Sequence, residues 1–307
     1  MLTYQSFHSL PIGVKLGSLL SVLRPLCWGA ADILRAYARG EQPPYGYPQV
    51  LDVQTGSEGP VSTADRSVSQ WLLDGLKTAF PYANWILLSE ETVKTQAITD
   101  QPLATEWLWI IDPLDGTCDF LQGTGEYAMH LALVHGQRPV FGAVLLPEIS
   151  ELWLGMVGKA TWCEDRDGRC KPVTLSTRRE LSEMILVVSR NHYDKRLEKL
   201  VTSLGPKNMS FAGSVGYKVA AILRGDADLY ISLSGHSAPK DWDMAAPEAI
   251  LLAAGGRFTH ADGRQLHYNS GDIRQAGCLV ASHGICHSML LEVTASAMAA
   301  IDPGFQL

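Results

Sequence analysis

Apolar residues recur at helical spacing in two segments of the N-terminal part of the chain. Leucine, alanine and aromatic residues lie three and four positions apart in Leu16–Ala38, and the same spacing returns in Thr63–Phe80 before Pro81. Both segments predict amphipathic helices that pack on a core. The intervening residues Gly40–Pro60 are rich in Gly, Pro and Gln, which predicts a loop.

Short apolar runs bounded by turn residues predict strands in the next part of the chain. The run Trp107–Ile111 is continuously apolar, as expected of a strand buried on both faces. A further run precedes it, and three others follow at short intervals with turns between them, which predicts an antiparallel meander. These strands are Trp85–Leu88, Tyr127–His135, Pro139–Leu146 and Glu151–Val157.

Strand and helix patterns alternate after Pro172, which favours an α/β arrangement. The predicted strands are Met184–Val188 and Asp228–Ile231, and the predicted helices are Lys195–Leu204, Val215–Arg224 and Ala245–Ala254. We therefore predict an α/β protein with a boundary within residues 172–183. Residues 1–175 form an α+β domain in this interpretation, and residues 176–307 form an α/β domain.

Composition and charge restrict the partners. A chain of 307 residues with 46% hydrophobic residues is typical of a folded protein and excludes a disordered one. The formal net charge of −7 argues against a nucleic-acid partner, because binding to phosphates needs a basic surface. The first ten residues lack the basic region of a signal peptide, and the first helix carries charged residues and a proline. We expect no membrane partner, a cytoplasmic location, and either a monomer or a homodimer.

The six cysteines are not spaced as CxxC pairs, so a zinc site or a disulfide framework is not indicated. Free thiols are the simplest interpretation. Cys163 and Cys170 flank a turn, and a redox-sensitive disulfide between them is the alternative interpretation.

The segment Asp112-Pro113-Leu114-Asp115-Gly116-Thr117 carries the clearest chemistry. It follows a buried strand, where charged side chains cost free energy unless something neutralises them. We predict a tight turn that presents two carboxylates and a free carbonyl. Carboxylate and carbonyl oxygens are ligands that Mg²⁺ prefers, and clustered N–H groups suit a phosphate. The alternative is an ordinary capped turn.

One acidic pair and two single acids are further candidates for the same centre. Glu90 and Glu91 close a predicted strand, where a solvated loop is the alternative. The alternative role for Asp65 is an acid in the first turn of a helix, where it interacts with the helix dipole. The alternative role for Asp243 is a helix N-cap. The nucleotide-binding patterns GxxxxGK[ST] and GxGxxG and the hydrolase patterns HExxH and GxSxG do not occur.

These residues together resemble the magnesium-dependent, lithium-sensitive inositol monophosphatase superfamily. Its motifs occur in order over roughly residues 55–270. They are Thr-x-Asp at Thr63–Asp65, Glu-Glu at Glu90–Glu91, DPLDGT at Asp112–Thr117, Trp-Asp-x-Ala-Ala at Trp242–Ala246 and Ala-Gly-Gly at Ala254–Gly256.

The resemblance implies a sugar-phosphatase fold with helix and sheet layers in the order αβαβα, and a site for two or three Mg²⁺ ions. The implied metal ligands are the side chains of Glu90, Asp112, Asp115 and Asp243 and the carbonyl of Leu114. Asp65 and Thr117 would join Glu90 as catalytic residues by accepting a proton from the attacking water. Backbone N–H groups of Gly116 and Thr117 would hold the phosphate.

Within the superfamily, the chain is most similar to the 3′(2′),5′-bisphosphate nucleotidases of the CysQ type. The segments that carry this similarity are Gly59–Val61, Ser189–His192, Gly213–Ser214 with Lys218, and Ala227–Tyr230. Two features depart from that branch. No lysine lies shortly before Asp52, and His130 stands where many members carry Asn.

Ser189, His192, Ser214 and Lys218 are the implied substrate contacts. Lys218 would pair with a second phosphate, and the alternative is a solvated lysine on a helix. The alternative for His192 is a histidine in a surface turn without a substrate contact. The expected activity is hydrolysis of the 3′-phosphate of adenosine 3′,5′-bisphosphate or its sulfated form. Hydrolysis of inositol monophosphate or fructose 1,6-bisphosphate is the alternative within the family. A non-catalytic phospho-ligand or RNA-binding module is the alternative from another class.

Overall fold

The computed structural model describes residues 10–56, 59–95, 101–234 and 238–305. The prediction of no signal peptide falls almost entirely on residues outside these ranges. Within them, no helix combines the length and the apolar character needed to cross a membrane.

Five amphipathic segments form α-helices at or near the predicted places, and the described residues also contain three α-helices that were not predicted, Glu90–Thr95, Thr117–Gln122 and His287–Ile301. The helices are α1 (Leu16–Ala38), α2 (Thr63–Ala79), α3 (Glu90–Thr95), α4 (Thr117–Gln122), α5 (Lys195–Leu204), α6 (Val215–Arg224), α7 (Asp241–Ala253) and α8 (His287–Ile301). The helix predicted from Ala245 begins four residues earlier, at Asp241. Its first turn therefore contains Asp243.

The strands confirm the predicted meander and add several shorter elements. They are β1 (Val53–Gly56), β2 (Gly59–Ser62), β3 (Ile86–Ser89), β4 (Trp107–Asp115), β5 (Ala128–His135), β6 (Arg138–Leu146), β7 (Glu151–Met156), β8 (Ala160–Glu164), β9 (Cys170–Lys171), β10 (Ile185–Ser189), β11 (Asn208–Ala212), β12 (Leu229–Leu233), β13 (Arg257–His260) and β14 (Cys278–Ser282). The prediction of a loop over Gly40–Pro60 is partly wrong, because β1 and the start of β2 pair there as an antiparallel hairpin.

Two larger sheets form the framework. The first has seven strands in chain order from β3 to β9, and within it β3 and β4 are parallel whereas the other neighbours are antiparallel. The second has five strands in the order β11-β10-β12-β14-β13. Its strands β11, β10 and β12 are parallel, and β14 is antiparallel to both of its neighbours.

Alternation along β4 sorts its side chains into two layers. Trp109 and Ile111 pack with α1 and α2 on one face of the seven-stranded sheet. Leu108 and Ile110 pack with α6 and α7 on the other face, in a core that also includes side chains of the five-stranded sheet. Helices α6 and α7 therefore lie between the two sheets.

The outer face of the five-stranded sheet has its own core. Leu186 and Val188 of β10 pack there with Leu197 of α5 and Leu290 of α8. The layers thus follow the order αβαβα, which confirms the predicted fold class. The division into domains at residues 175 and 176 stays a prediction.

All six cysteines are free. Cys163 lies opposite Lys171 across β8 and β9, and Cys170 lies opposite Glu164. Since facing residues share one side of a sheet and successive residues alternate, the two thiols point to opposite faces. The hypothesis that Cys163 and Cys170 form a redox pair is therefore wrong for this fold.

Candidate metal centre and active site

The carboxyl end of β4 presents two aspartates through a β-bulge. Asp112 lies opposite His130 and Asp115 lies opposite Ala128, so three steps on β4 match two steps on β5. Residues three apart on a regular strand face opposite sides, and the extra residue returns Asp115 to the face of Asp112. Pro113 is tolerated because a bulge removes the need for its N–H. The predicted turn after Ile111 is thus a continuation of the strand.

Asp243 joins this pair from the first turn of α7. One carboxylate oxygen from each of Asp112, Asp115 and Asp243 lies within 4.8 Å of the others. The N-cap of α7 is Lys240, whose backbone N–H donates to Asp243 Oδ2 at 2.6 Å. The alternative interpretation of Asp243 as the N-cap is therefore wrong.

Glu90 begins α3 directly after β3. Because β3 runs parallel to β4, the carboxyl ends of both strands meet at the same edge of the sheet. Lys94 Nζ lies 2.8 Å from Glu90 Oε1 and 3.4 Å from Glu91 Oε1. Glu91 is buried rather than part of a solvated loop. The lysine is a cationic partner that the sequence patterns did not identify.

Burial raises the pKa of every acid in this group. The pKa of Asp112 lies well above its usual range because of burial and then the charges of Glu90, Asp115 and Asp243. Burial also raises the pKa of Asp115 to about 6 and those of Glu90 and Asp243 to about 7. The four acids therefore repel one another when all are ionised. Buried carboxylates need a positive charge nearby to remain ionised, and their oxygen atoms are ligands that suit a divalent cation such as Mg²⁺.

The Thr117 hydroxyl lies between this cluster and α2. Its Oγ1 is 3.1 Å from the Leu114 carbonyl oxygen and 3.3 Å from Asp65 Oδ1. Gly116, at the start of α4, has φ of 87°, a left-handed conformation that glycine adopts without strain. The Leu114 carbonyl accepts a hydrogen bond from Thr117 here, and its role as a metal ligand stays a prediction.

Asp65 has a structural role in the first turn of α2, and its catalytic role stays a prediction. Its Oδ2 accepts hydrogen bonds from the Ser62 N–H at 2.7 Å and the Ser62 hydroxyl at 2.6 Å, so Asp65 does stabilise the first turn of α2. Its Oδ1 is the oxygen near Thr117. Burial raises the pKa of Asp65.

The N-terminus of α6 holds Asp115. Asp115 Oδ2 accepts from the N–H groups of Val215 at 2.6 Å and Gly216 at 3.3 Å. Ser214 caps this helix, since its hydroxyl accepts from the Tyr217 N–H at 3.0 Å. Ser214 is completely buried. Its predicted contact with substrate stays a prediction beside this capping role.

Lys218 is a buried residue, so the alternative of a solvated helix lysine is wrong. Its side chain is 1% exposed, and Nζ donates to the Gly213 carbonyl at 2.6 Å. Burial lowers the pKa of Lys218 to about 8, against the opposing charges of Asp115, Asp119 and Asp243. The pairing of Lys218 with a second phosphate stays a prediction beside this buried position.

The segment Ser189–His192 lies at the carboxyl end of β10 and is tied to α4. Ser189 is buried and His192 is exposed. Between them, Arg190 Nη1 lies 2.6 Å from Oδ1 of the buried Asp119, and Asn191 Nδ2 lies 2.6 Å from Asp119 Oδ2. No sequence pattern indicates this contact between α4 and the segment after β10, because the residues it joins lie about seventy positions apart.

Comparison with known proteins agrees with this arrangement. The profile of the inositol monophosphatase family matches residues 15–299. The 3′(2′),5′-bisphosphate nucleotidase CysQ of Salmonella typhimurium is 31% identical over 211 residues, which cover 69% of this chain and 80% of that protein. SuhB of Neisseria meningitidis is 31% identical over 222 residues, or 69% of this chain and 78% of its own length.

A solved structure gives the same answer for the fold. The inositol monophosphatase (IMPase) of Thermotoga maritima superposes with a TM-score of 0.71 at 20% sequence identity, covering 92% of this chain and 99% of its own. The chain belongs to the inositol monophosphatase family and is a metal-dependent phosphatase.

Proposed function

We propose that this phosphatase removes the 3′-phosphate from adenosine 3′,5′-bisphosphate, and that it accepts the sulfated form of that nucleotide as well. The observation that carries the proposal is the convergence of Asp112, Asp115 and Asp243, with the charge of Glu90 acting on Asp112 and Asp243, in a chain similar to a CysQ nucleotidase. The segment Ser189–His192, which resembles that branch, lies at the carboxyl edge of the second sheet.

The four acids and the Leu114 carbonyl would hold two or three Mg²⁺ ions. Bound there, the ions supply Lewis acidity toward water and phosphate and neutralise developing charge. The protein contributes the geometry: β4 and its bulge orient Asp112 and Asp115, and α7 orients Asp243.

Thr117 and Asp65 would handle the proton of the attacking water. The Thr117 hydroxyl can donate a hydrogen bond to Asp65 Oδ1 and accept one from water. The proton of the water would then pass through Thr117 to the Asp65 carboxylate. The N–H groups of Gly116 and Thr117 at the start of α4 would bind phosphate oxygens. In the reaction a new P–O bond forms to the water oxygen, the bond to the ribose 3′-oxygen breaks, and that oxygen takes a proton.

A different phosphomonoester is the second candidate. The fold shared with the Thermotoga IMPase makes inositol 1-phosphate the candidate here, with fructose 1,6-bisphosphate as a further member of the same class. SuhB is also described as a candidate Nus factor, which favours a non-catalytic binding role. The convergence of the acids argues against that role, because a binding module has no need to retain a costly buried cluster.

A substrate panel tests the proposal. Phosphate release with Mg²⁺ is measured on adenosine 3′,5′-bisphosphate, its sulfated form, inositol 1-phosphate and fructose 1,6-bisphosphate, with adenosine 5′-monophosphate as the matched control lacking a 3′-phosphate. We expect kcat/KM for the bisphosphate nucleotide to exceed that for inositol 1-phosphate by about tenfold or more. The opposite order would overturn the choice of substrate. Millimolar lithium should inhibit, as the family resemblance implies.

A further inference from the structure

His130 lies between the two segments that carry Asp115 and Asp243. It belongs to β5, faces Asp112 in the strand register and is completely buried. Its Nε2 lies 3.4 Å from Asp115 Oδ2, and its Nδ1 lies 3.3 Å from the carbonyl oxygen of Trp242, the residue directly before Asp243. The His130 side chain therefore contacts both the segment that carries Asp115 and the segment that carries Asp243.

The two nitrogen atoms of the His130 ring make different kinds of contact. The Trp242 carbonyl can only accept, so the hydrogen bond between them requires a hydrogen on Nδ1. Nε2, which has no hydrogen-bond partner among the described residues, meets Asp115 by contact alone. The ring thus makes a hydrogen bond to the Trp242 backbone at one end, and at the other end its van der Waals contact limits how closely Asp115 can approach.

Gly216 shows how closely the protein is built around this ring. A Cβ atom at residue 216 would lie 2.4 Å from His130 Nε2, which is closer than two such atoms can approach. The N–H of the same glycine donates to Asp115 Oδ2. Oδ2 is therefore in contact with two helix N–H groups and with the imidazole, which together fix the orientation of the Asp115 carboxylate.

We propose that His130 is a positioning residue of the metal centre, which sets the separation between Asp115 and the start of α7 before any cation binds. The inference rests on the proposed metal site. Residues that orient metal ligands typically change metal affinity by about 10–100-fold when they are replaced. His130 would act through Asp115 and Trp242 rather than by touching the substrate.

The test is a calorimetric titration with Mn²⁺ and Mg²⁺ of the wild type and three full-length variants. His130→Ala removes both contacts. His130→Asn keeps a donor near the position of Nδ1 and loses the edge that faces Asp115. His287→Asn is the matched control, because His287 is also buried but bonds to Ser282 and Thr259, far along the chain from the metal ligands.

We expect His130→Ala to raise the metal Kd by about 10–100-fold, His130→Asn to give an intermediate value, and His287→Asn to match the wild type. The stabilisation by Mg²⁺ in thermal melts should fall in the same order. An affinity for His130→Ala within about twofold of wild type, or an equal loss in His287→Asn, would overturn the inference. If His130→Ala does not fold, the same twofold criterion applies to His130→Asn. Failure of the wild type to bind either metal would instead overturn the proposed function.

Discussion

The Thr117 hydroxyl oxygen lies 3.3 Å from Asp65 Oδ1, although the two residues belong to different helices and are separated by 52 positions. The contact joins the start of α4, beside the β4 bulge, to the capped first turn of α2. A hydroxyl held against a buried carboxylate is a suitable group to receive a proton from an activated water.

Thr117→Val keeps the shape of the side chain and removes the hydroxyl. Since the metal ligands are unchanged, we expect kcat to fall by about 10²–10⁴-fold while the Kd for Mg²⁺ stays near the wild-type value. Thr161→Val, which removes another hydroxyl that bonds to a backbone carbonyl, is the control and should retain activity. Steady-state kinetics and metal titration check both values. A kcat for Thr117→Val close to wild type would contradict the assigned role.

The parts of the fold that sequence analysis predicted are those in which burial repeats with a regular period. Residues Trp107–Ile111 are continuously apolar because both faces of β4 are covered by helices. By contrast, Asn208–Ala212 forms an edge strand with mostly exposed side chains, so no apolar pattern marks it. The hairpin of β1 and β2 likewise has little buried surface to leave a pattern in the sequence.

The candidate site shows a similar division. The turn pattern made Asp112 and Asp115 candidates, the family resemblance implied Asp243 as a further ligand, and the structure brings the three together. The burial of Lys218 could not be predicted, because a lysine on an amphipathic helix is usually exposed. The contact between Arg190 and Asp119 depends on how the two sheets lie against each other, which no local pattern encodes.

Metal binding should release protons near pH 6. In the metal-free protein burial raises the pKa of Asp115 to about 6 and those of Glu90 and Asp243 to about 7, and coordination requires the ionised forms. Mg²⁺ must therefore displace protons at pH 6 but few at pH 8.5, and the apparent Kd should rise as the pH falls through this window. Calorimetry in two buffers of different ionisation enthalpy measures the release. An unchanged Kd and no proton release at pH 6 would show that the acids are ionised without metal.

The Arg190–Asp119 pair should contribute to stability. Asp119 is completely buried, so Arg190→Gln leaves a buried carboxylate without its main cationic partner. Because Arg190 is itself about one third exposed, we expect a loss of about 2 kcal/mol, below the range for fully buried pairs. Arg169→Gln is the control, since its pair with Asp167 is exposed at both ends and should contribute less than about 0.5 kcal/mol. Urea unfolding compares the variants, and equal losses would contradict the assignment.

The cysteines of β8 and β9 should react separately. Cys170 is exposed, whereas Cys163 is buried and burial raises its pKa to about 12. We expect a thiol reagent to label Cys170 in the folded protein and Cys163 only after unfolding. Mass spectrometry of labelled peptides distinguishes the two sites. Recovery of a Cys163–Cys170 disulfide peptide under mild oxidation of the folded protein would contradict the strand register.

Phosphate release from adenosine 3′,5′-bisphosphate tests the central claim most directly. The assay compares the wild type with Mg²⁺, the wild type in EDTA before and after Mg²⁺ is restored, and folded Asp112→Asn with Mg²⁺. We predict activity with Mg²⁺, loss in EDTA, recovery when the metal returns, and no detectable turnover by Asp112→Asn, because the buried cluster then lacks an anionic ligand. Turnover at the wild-type rate by the EDTA-treated protein or by Asp112→Asn would contradict hydrolysis at this metal centre.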